Sequence, residues 1–429
     1  MTPRRVTWPR VSLALIVLVA AAAALVAWLN VRGEDALTGS ADAFVATPDQ
    51  VARGAYLARA GNCAACHTDR GGAAFAGGKG IATPFGTVYA SNLTPDAKTG
   101  IGSWSAAQFW RALHNGRSAD GHLLYPAFPY PNFTEITRVD ADALLAFLRS
   151  QVPVAQANRA HDLRFPYNLQ ASLAVWRALF FTPGTYEPVV ERSKQWNRGA
   201  YLVRALGHCA ACHSPRNAFG ATRESLELSG GLIPLQNWYA PSLASSAEAG
   251  VADWSNAEVA ALFKTGFTPR GAALGPMAEV VFRSTQYLND ADVAAMTDFL
   301  KSLPQSPPHG AAAPAIDKAA FAHGAALYKD RCAACHGAAG EGGSSAQGVV
   351  YVPLAGNRKA LLDSPANLIH IVVNGGFPPT TAGNPRPYGM PPFGPSLTDA
   401  EVAVLATYVR AAWGNAAPPV SALDVLESR

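Results

Sequence analysis

The sequence predicts an all-α protein in which three small helical domains follow one another behind an N-terminal membrane helix. A short cysteine motif occurs three times, and each copy lies between one amphipathic helical stretch ahead of it and another well behind it. An apolar run lies near the start of the chain. With 429 residues, the chain has room for about three domains of ordinary size.

The apolar run at 11–29 reads VSLALIVLVAAAAALVAWL and has the ~20-residue length of a membrane-spanning helix. Three arginines precede it, which predicts a cytoplasmic N-terminus and an exported body. A cleaved signal peptide is the alternative, with small residues at 20–24 as its cleavage region. Residues 1–32 are therefore predicted as a cytoplasmic tip and a transmembrane anchor or signal.

Composition describes a globular chain, with 49% apolar and 15% charged residues and a net charge of +4. Apart from the N-terminal arginines, the basic residues are scattered and form no stripe with interleaved aromatic residues, so no nucleic acid partner is expected. The sequence holds neither a Gly-rich phosphate loop nor a G-x-S-x-G nucleophile elbow. We therefore expect no catalytic residues and no substrate site in this chain.

Every cysteine belongs to a Cys-x-x-Cys-His motif, and the copies read NCAACHT, HCAACHS and RCAACHG. Two thiols one helical turn apart can each add to a vinyl group of a haem, and the adjacent histidine can then bind the iron. This spacing is the attachment signature of c-type haem. It predicts three covalent haems, bound through Cys63, Cys66, Cys209, Cys212, Cys332 and Cys335, with His67, His213 and His336 as proximal iron ligands.

Three other uses of paired cysteines fit less well. A disulfide across two intervening residues would constrain almost nothing, although exported chains often carry disulfides. A redox pair needs one motif in a thioredoxin-like setting, whereas here three motifs are each followed by histidine. A zinc site built from two pairs would leave the third pair unused.

Repeated helical stretches surround the motifs. The stretch ahead of each motif carries a glycine near its start, which would let another helix cross closely. Apolar residues at i, i+3 and i+4 predict closing helices over 140–150, 290–302 and 397–413, the last opening with a Thr–Glu capping box. The glycines in question are Gly54, Gly199 and Gly324, and the helices between are predicted to end at Gly116, Gly266 and Gly375.

The predicted domains are 47–164, 193–304 and 315–416. An apolar connector at 165–192 separates the first two, and a proline-rich linker at 305–314 separates the last two. The aromatic part of the connector could pack between domains, lie on the membrane or line a quinone path.

Methionine is the common second ligand in electron-carrying haems. Met390 in YGMPPFG and Met277 in LGPMAEVV occupy corresponding loops and are predicted to bind the third and second irons. Met296 lies inside a closing helix and matches Leu405, so it is predicted as a core residue. In the first unit Phe128 occupies the methionine position, and a phenyl ring cannot bind iron.

The second ligand of the first iron therefore stays open at this point. His122 lies in the same loop and is the best substitute, and His114 is a weaker one. A five-coordinate iron, with neither histidine bound, is the third possibility.

The chain resembles the tri-haem cytochrome c subunits of membrane-bound periplasmic dehydrogenases, which serve alcohol, gluconate, sorbitol and aldehyde oxidation. The resemblance covers about residues 48–415. The stretches that carry it are FAGGKGIATPFGTVYASNLTPDAKTGIGSW, LYPAFPYP, WNRGAYLVRALGHCAACHSPRN, GPMAEVV and YGMPPFG. It implies three tandem cytochrome c-type domains, each around a covalent haem, and supports the same cysteines, histidines, Met277 and Met390.

The resemblance also implies a function. A dehydrogenase catalytic subunit with flavin, PQQ or molybdenum would oxidise the substrate, and this chain would pass the electrons to membrane ubiquinone or another carrier of the respiratory chain. It would be held in the inner membrane with its haem domains in the periplasm. Two alternatives remain: a free-standing carrier to a terminal oxidase, and a cytochrome whose first haem has an open, catalytic position.

Overall fold

The computed structural model describes residues 8–37, 39–40, 44–305, 316–345 and 350–429. The predicted linker at 305–314, apart from its first residue, lies outside these ranges, as does most of the predicted cytoplasmic tip. The chain forms two compact units. The first contains residues 1–54 and 67–186, and the second contains residues 55–66 and 187–429.

The chain begins with helix α1 (Trp8–Val31). Among the described residues it is the one helix long and apolar enough to cross a membrane, over Val11–Val31. Its apolar side chains are exposed along most of this length. The polar residue Asn30, in the last turn of α1, is buried instead, at 6% exposure.

The first unit combines short helices with one small antiparallel sheet. The residues of α2 and α3 are divided between the two units. In chain order the elements are α2 (Pro48–Ala60), α3 (Cys63–His67), β1 (Gly80–Thr83), β2 (Gly86–Tyr89), α4 (Ala106–Asn115), α5 (Tyr130–Phe133), α6 (Arg138–Arg149), β3 (Asp162–Leu163) and α7 (Gln170–Phe180).

The second unit contains the other two cysteine motifs. Its first half comprises α8 (Lys194–Tyr201), which continues as a π-helical turn (Leu202–Leu206), then α9 (Ala210–His213), β4 (Gly231–Ile233), β5 (Trp238–Ala240), α10 (Asn256–Thr265), β6 (Phe267–Thr268), β7 (Gly271–Ala272), α11 (Pro276–Arg283) and α12 (Asp290–Lys301). Its second half comprises α13 (Lys318–Arg331), α14 (Ala333–His336), β8 (Gly343–Ser344), β9 (Val350–Tyr351), α15 (Ala366–Asn374), α16 (Asp399–Ala411) and α17 (Ala422–Ser428).

The close helix crossings predicted from glycine are confirmed in all three repeats. A Cβ atom added at Gly54 would collide with the backbone of Ala143 on α6. The same atom at Gly199 would collide with Ala295 on α12, and at Gly324 with Val404 on α16. Because backbone cannot move aside as a side chain can, only glycine permits this approach.

An ion pair accompanies two of the crossings. Arg53, next to the crossing glycine, lies 2.5 Å from the carboxylate of Asp140, which is 2% exposed. Arg198 lies 2.8 Å from Asp292 in the second repeat. These buried carboxylates need such partners, because an unpaired buried charge is costly.

Helix ends also follow the sequence predictions. Thr398 and Glu401 form the capping box of α16, each side chain bonding the backbone of the other residue. The middle helices end at Gly116, Gly266 and Gly375, whose φ angles of 59°, 71° and 82° suit glycine.

The all-α prediction is not confirmed, because the described residues contain nine short strands. They pair as antiparallel hairpins, with β3 added to the edge of β2. The hairpins lie in the glycine- and proline-rich segments between the cysteine motifs and the closing helices. Backbone groups in these loops gain hydrogen-bond partners by pairing, which a buried irregular loop would lack.

Candidate haem-binding sites

Each cysteine motif forms a single helical turn. The backbone amide of His213 donates to the carbonyl of Cys209 at 2.9 Å, and that of His336 donates to Cys332 at 2.9 Å. In the first motif the same residues form helix α3. The two cysteines of each motif are therefore one turn apart, with the histidine directly behind the second, as the spacing predicted.

The thiols do not have the character of a redox pair. All six cysteines are free. Burial raises the pKa of Cys63 and of Cys209 to about 12, and that of Cys332 to about 11. Reactive Cys-x-x-Cys sites instead have a cysteine whose pKa is lowered. The environment therefore argues against thiol–disulfide exchange.

The three motif histidines share one hydrogen-bonding arrangement. Nδ1 of His67 lies 2.7 Å from the carbonyl oxygen of Ser91. Nδ1 of His213 lies 2.7 Å from Pro241 O, and Nδ1 of His336 lies 2.9 Å from Val352 O. A carbonyl can only accept, so Nδ1 carries the proton and Nε2 keeps its lone pair. This is how proteins orient a histidine that binds metal through Nε2.

Burial also keeps these imidazoles in the ligand form. It lowers the pKa of His67, His213 and His336, while each hydrogen bond to a carbonyl works in the opposite direction. Burial is the larger effect at all three positions. The neutral imidazole, which binds iron, is thereby favoured over the cation.

The hairpins that sequence reasoning missed supply these carbonyl groups. Ser91 lies two residues after β2, which pairs with β1. Pro241 directly follows β5, the second strand of the β4–β5 hairpin, and Val352 directly follows β9. In each repeat, a carbonyl one or two residues beyond a hairpin strand thus reaches the motif histidine. Glycine at the turns and β-branched or aromatic residues in the strands were the available signals.

The second unit contains a cavity of about 520 Å³ that is shared by the second and third motifs. Its lining is predominantly apolar, which suits a porphyrin face. The predicted iron ligands and thioether cysteines of both sites line this one space. They are Cys209, Cys212, His213, Met277, Cys332, Cys335, His336 and Met390.

Both methionines predicted as ligands are held by the backbone. Met390 exchanges two hydrogen bonds with Gly376, its N donating at 2.7 Å and its O accepting at 3.0 Å. Met277 lies in the first turn of α11 and follows Gly275, whose φ is 56°. Met296 is 5% exposed and its counterpart Leu405 is 1% exposed, which suits core residues, although both also line the cavity.

One polar feature of the cavity was not predicted from sequence. Lys359 lines it, and Nζ donates to the carbonyl oxygen of Ala272 at 2.6 Å. Burial lowers the pKa of Lys359 to about 8. Arg331 also lines the cavity, and cations in a predominantly apolar wall suit a ligand that is apolar but carries carboxylate groups. Haem has this chemistry, so the residues present fit the group.

The first site differs at the position where the other two have methionine. Phe128 is packed among aromatic rings, with the centroid of Phe133 at 5.4 Å. His122 is half exposed, and its Nδ1 lies 2.5 Å from the carboxylate of Asp120. His114 is buried, stacks on Trp110 with centroids 4.5 Å apart, and its Nδ1 lies 2.8 Å from Thr134 O. Iron binding by His122 stays a prediction.

The motif helices, their oriented histidines and the cavity are the features of a c-type cytochrome. The cytochrome c family model matches residues 51–151 and 321–413, which include the first and third motifs.

Relatives that match most of this chain show which group of c-type cytochromes it belongs to. The chain is 37% identical over 409 residues to the cytochrome c subunit of alcohol dehydrogenase (quinone) from Gluconacetobacter polyoxogenes, covering 90% of this chain and 86% of that protein. It is 38% identical over 397 residues to the gluconate 2-dehydrogenase cytochrome c subunit of Pantoea cypripedii, covering 88% and 89%. It is also 44% identical over 363 residues to one subunit of the nicotinate dehydrogenase from Pseudomonas putida, covering 83% of this chain and 30% of that protein. The chain belongs to the family of cytochrome c subunits of membrane-bound dehydrogenases.

Proposed function

We propose that this chain carries three covalent haems and transfers electrons from a dehydrogenase catalytic subunit to membrane ubiquinone or another respiratory acceptor. The observation that supports three sites is the threefold repeat of one arrangement, in which a motif histidine donates from Nδ1 to a carbonyl at 2.7, 2.7 and 2.9 Å. When bound, haem supplies a one-electron carrier whose potential depends on its axial ligands and burial.

Histidine and methionine side chains have different roles at the three sites. His67, His213 and His336 would each hold the iron through Nε2, and their Nδ1 hydrogen bonds keep each ring in place. Met277 and Met390 would supply a thioether ligand at the second and third sites, and a thioether raises the potential of the haem. The first site lacks a methionine, so its potential differs from the other two.

We further propose three cytochrome c-type domains at 47–164, 193–304 and 315–416, with α1 as an uncleaved anchor in the inner membrane and the haems in the periplasm. Relatives that are subunits of alcohol and gluconate dehydrogenases support a catalytic partner. Flavin, PQQ and molybdenum remain the candidate cofactors of that partner. This chain supplies the electron path and no substrate site.

Solubilised membranes test this function directly. The chain is expected to co-purify with a larger dehydrogenase subunit, because its relatives are subunits of such enzymes. Addition of one substrate among ethanol, gluconate and nicotinate should reduce its haems, followed by optical absorbance. The control is the same preparation after the catalytic subunit has been dissociated, in which these compounds should have no effect. Isolation without any dehydrogenase would instead favour the free-standing carrier.

An open iron position at the first site is a second candidate, favoured by the packing of Phe128 and by the pairing of His122 with Asp120. Cyanide added to the ferric protein is then expected to bind one haem rapidly, because no side chain must first leave the iron. The substitution His122→Ala should leave that rate unchanged. Cyanide binding that appears only in the His122→Ala variant would show that His122 is the ligand.

A further inference from the structure

Helix α7 (Gln170–Phe180) presents an uncharged face to its surroundings. Its sequence QASLAVWRALF contains one charged residue, Arg177, and this residue is 3% exposed. Val175 and Leu179, four residues apart, are 47% and 67% exposed. A surface helix in water has the opposite arrangement, with apolar residues inward and charges outward.

Interactions inside the first unit account for the inward position of Arg177. Its Nε donates to Asn30 Oδ1 at 2.8 Å, and its Nη1 donates to the carbonyl of Asn115 at 2.5 Å. The guanidinium also lies 5.3 Å from the ring centroid of Tyr130 and 4.9 Å from that of Phe181. The charge is thereby satisfied within the protein, and the outward face of α7 is left apolar.

The position of α7 is defined by its contacts with the C-terminal end of α1. Asn30 Nδ2 donates to the carbonyl of Ala174 at 2.8 Å. Arg32, just beyond the helix, donates to the carbonyl of Phe181 and to the hydroxyl of Thr182, both at 3.1 Å. α7 therefore lies beside the last turn of the apolar span. A spanning helix leaves the hydrocarbon core at this level.

Other large apolar side chains are exposed in the segment ahead of α7 and on α1. Ahead of it Phe165 and Leu169 are 77% and 43% exposed. On α1 Trp28 is 60% exposed. We call the surface formed by Phe165, Leu169, Val175 and Leu179 the apolar shelf. Several large apolar side chains exposed beside an apolar span indicate an interaction site.

We propose that the apolar shelf lies in the interfacial layer of the lipid bilayer, as an in-plane helix beside the anchor. The occupant is lipid, because the shelf is uncharged and is next to an apolar span of membrane length. The inference rests on the proposed insertion of α1. Its consequence is that the first haem domain is held at a fixed height above the membrane.

Site-directed spin labelling of the full-length protein in phosphatidylcholine–phosphatidylglycerol vesicles tests this proposal. All six native thiols are taken up as thioethers when haem is attached, so one added cysteine can be labelled selectively. Leu179→Cys and, separately, Val175→Cys report on the shelf. Val139→Cys, on α6 and 69% exposed, is the matched water-facing control, and Leu18→Cys, 67% exposed on α1, reports on the anchor.

The measurement compares nitroxide relaxation by oxygen, which concentrates in lipid, with relaxation by a water-soluble nickel chelate. For the labels at 179, 175 and 18, the ratio of relaxation by oxygen to relaxation by the nickel chelate is expected to be higher than for the label at 139. Shelf labels that respond as position 139 does, while position 18 remains protected, would overturn the shelf and leave the anchor intact. Shelf labels protected from nickel only after a catalytic subunit is added would also overturn it. Exposure of position 18 to nickel would overturn the anchor and, with it, the shelf that rests on the anchor.

Discussion

Replacing both Cys209 and Cys212 with serine is expected to leave two covalently bound haems per chain instead of three. The same change should strongly destabilise the second unit, because the haem that fills part of its cavity of about 520 Å³ would no longer be attached. Empty apolar space costs about 24 cal/mol per Å³, so an empty half would cost roughly 6 kcal/mol. That is comparable with the whole stability of a small domain, about 5–15 kcal/mol.

The haem content would be measured as the pyridine haemochrome relative to protein, and the stability by thermal unfolding followed by circular dichroism. The control is the equivalent pair of substitutions at Cys63 and Cys66. These should also leave two haems, but neither cysteine lines the shared cavity, so that cavity keeps both of its own haems and the unfolding temperature should fall much less. Three haems in either double variant would contradict the assignment of the motifs.

Substituting Gly199 with alanine is expected to reduce the free energy of unfolding by about 3 kcal/mol, the upper part of the range for overpacking. The added Cβ would collide with the backbone of Ala295 on α12 and would also press on the Cβ of Phe299. Backbone atoms can escape only if the helices separate, which would loosen the packing around the second motif. Chemical denaturation of the haem-loaded protein measures the change.

Gly184→Ala is the matched control, because nothing lies within 4 Å of a Cβ atom added there. This variant should be as stable as the native protein, or slightly more stable through the reduced freedom of the unfolded chain. Equal stability of the Gly199→Ala variant and this control would show that the helices do not need a glycine to cross.

Local features were predicted correctly from the sequence. The middle helices end at Gly116, Gly266 and Gly375, and Thr398 caps α16 with Glu401, because these outcomes depend on hydrogen bonds within a few residues. The cysteine motifs each form one helical turn for the same reason. Because the three repeats have similar sequences, the same helix packing was predicted for each of them.

The hairpins were not predicted, although they place the carbonyls that orient the motif histidines. Their strands are two to four residues long, too short for an alternating pattern to stand out among glycine and proline. The inward orientation of the Arg177 side chain could not be predicted from the sequence either. An arginine in an apolar helix is normally expected to face water, and only its partners on α1 and α4 reverse that.

By itself, the sequence predicted which cysteines and histidines would hold a haem, where the middle helices end, and where a helix crossing needs glycine. Those features depend on residues that are close together in the chain, so their spacing can be read directly from the sequence. Only the tertiary structure decided which carbonyl orients each histidine, that the second and third sites open into one cavity, and that α7 turns an uncharged face outward. Those features depend on side chains far apart in the chain that meet only when packing brings them together.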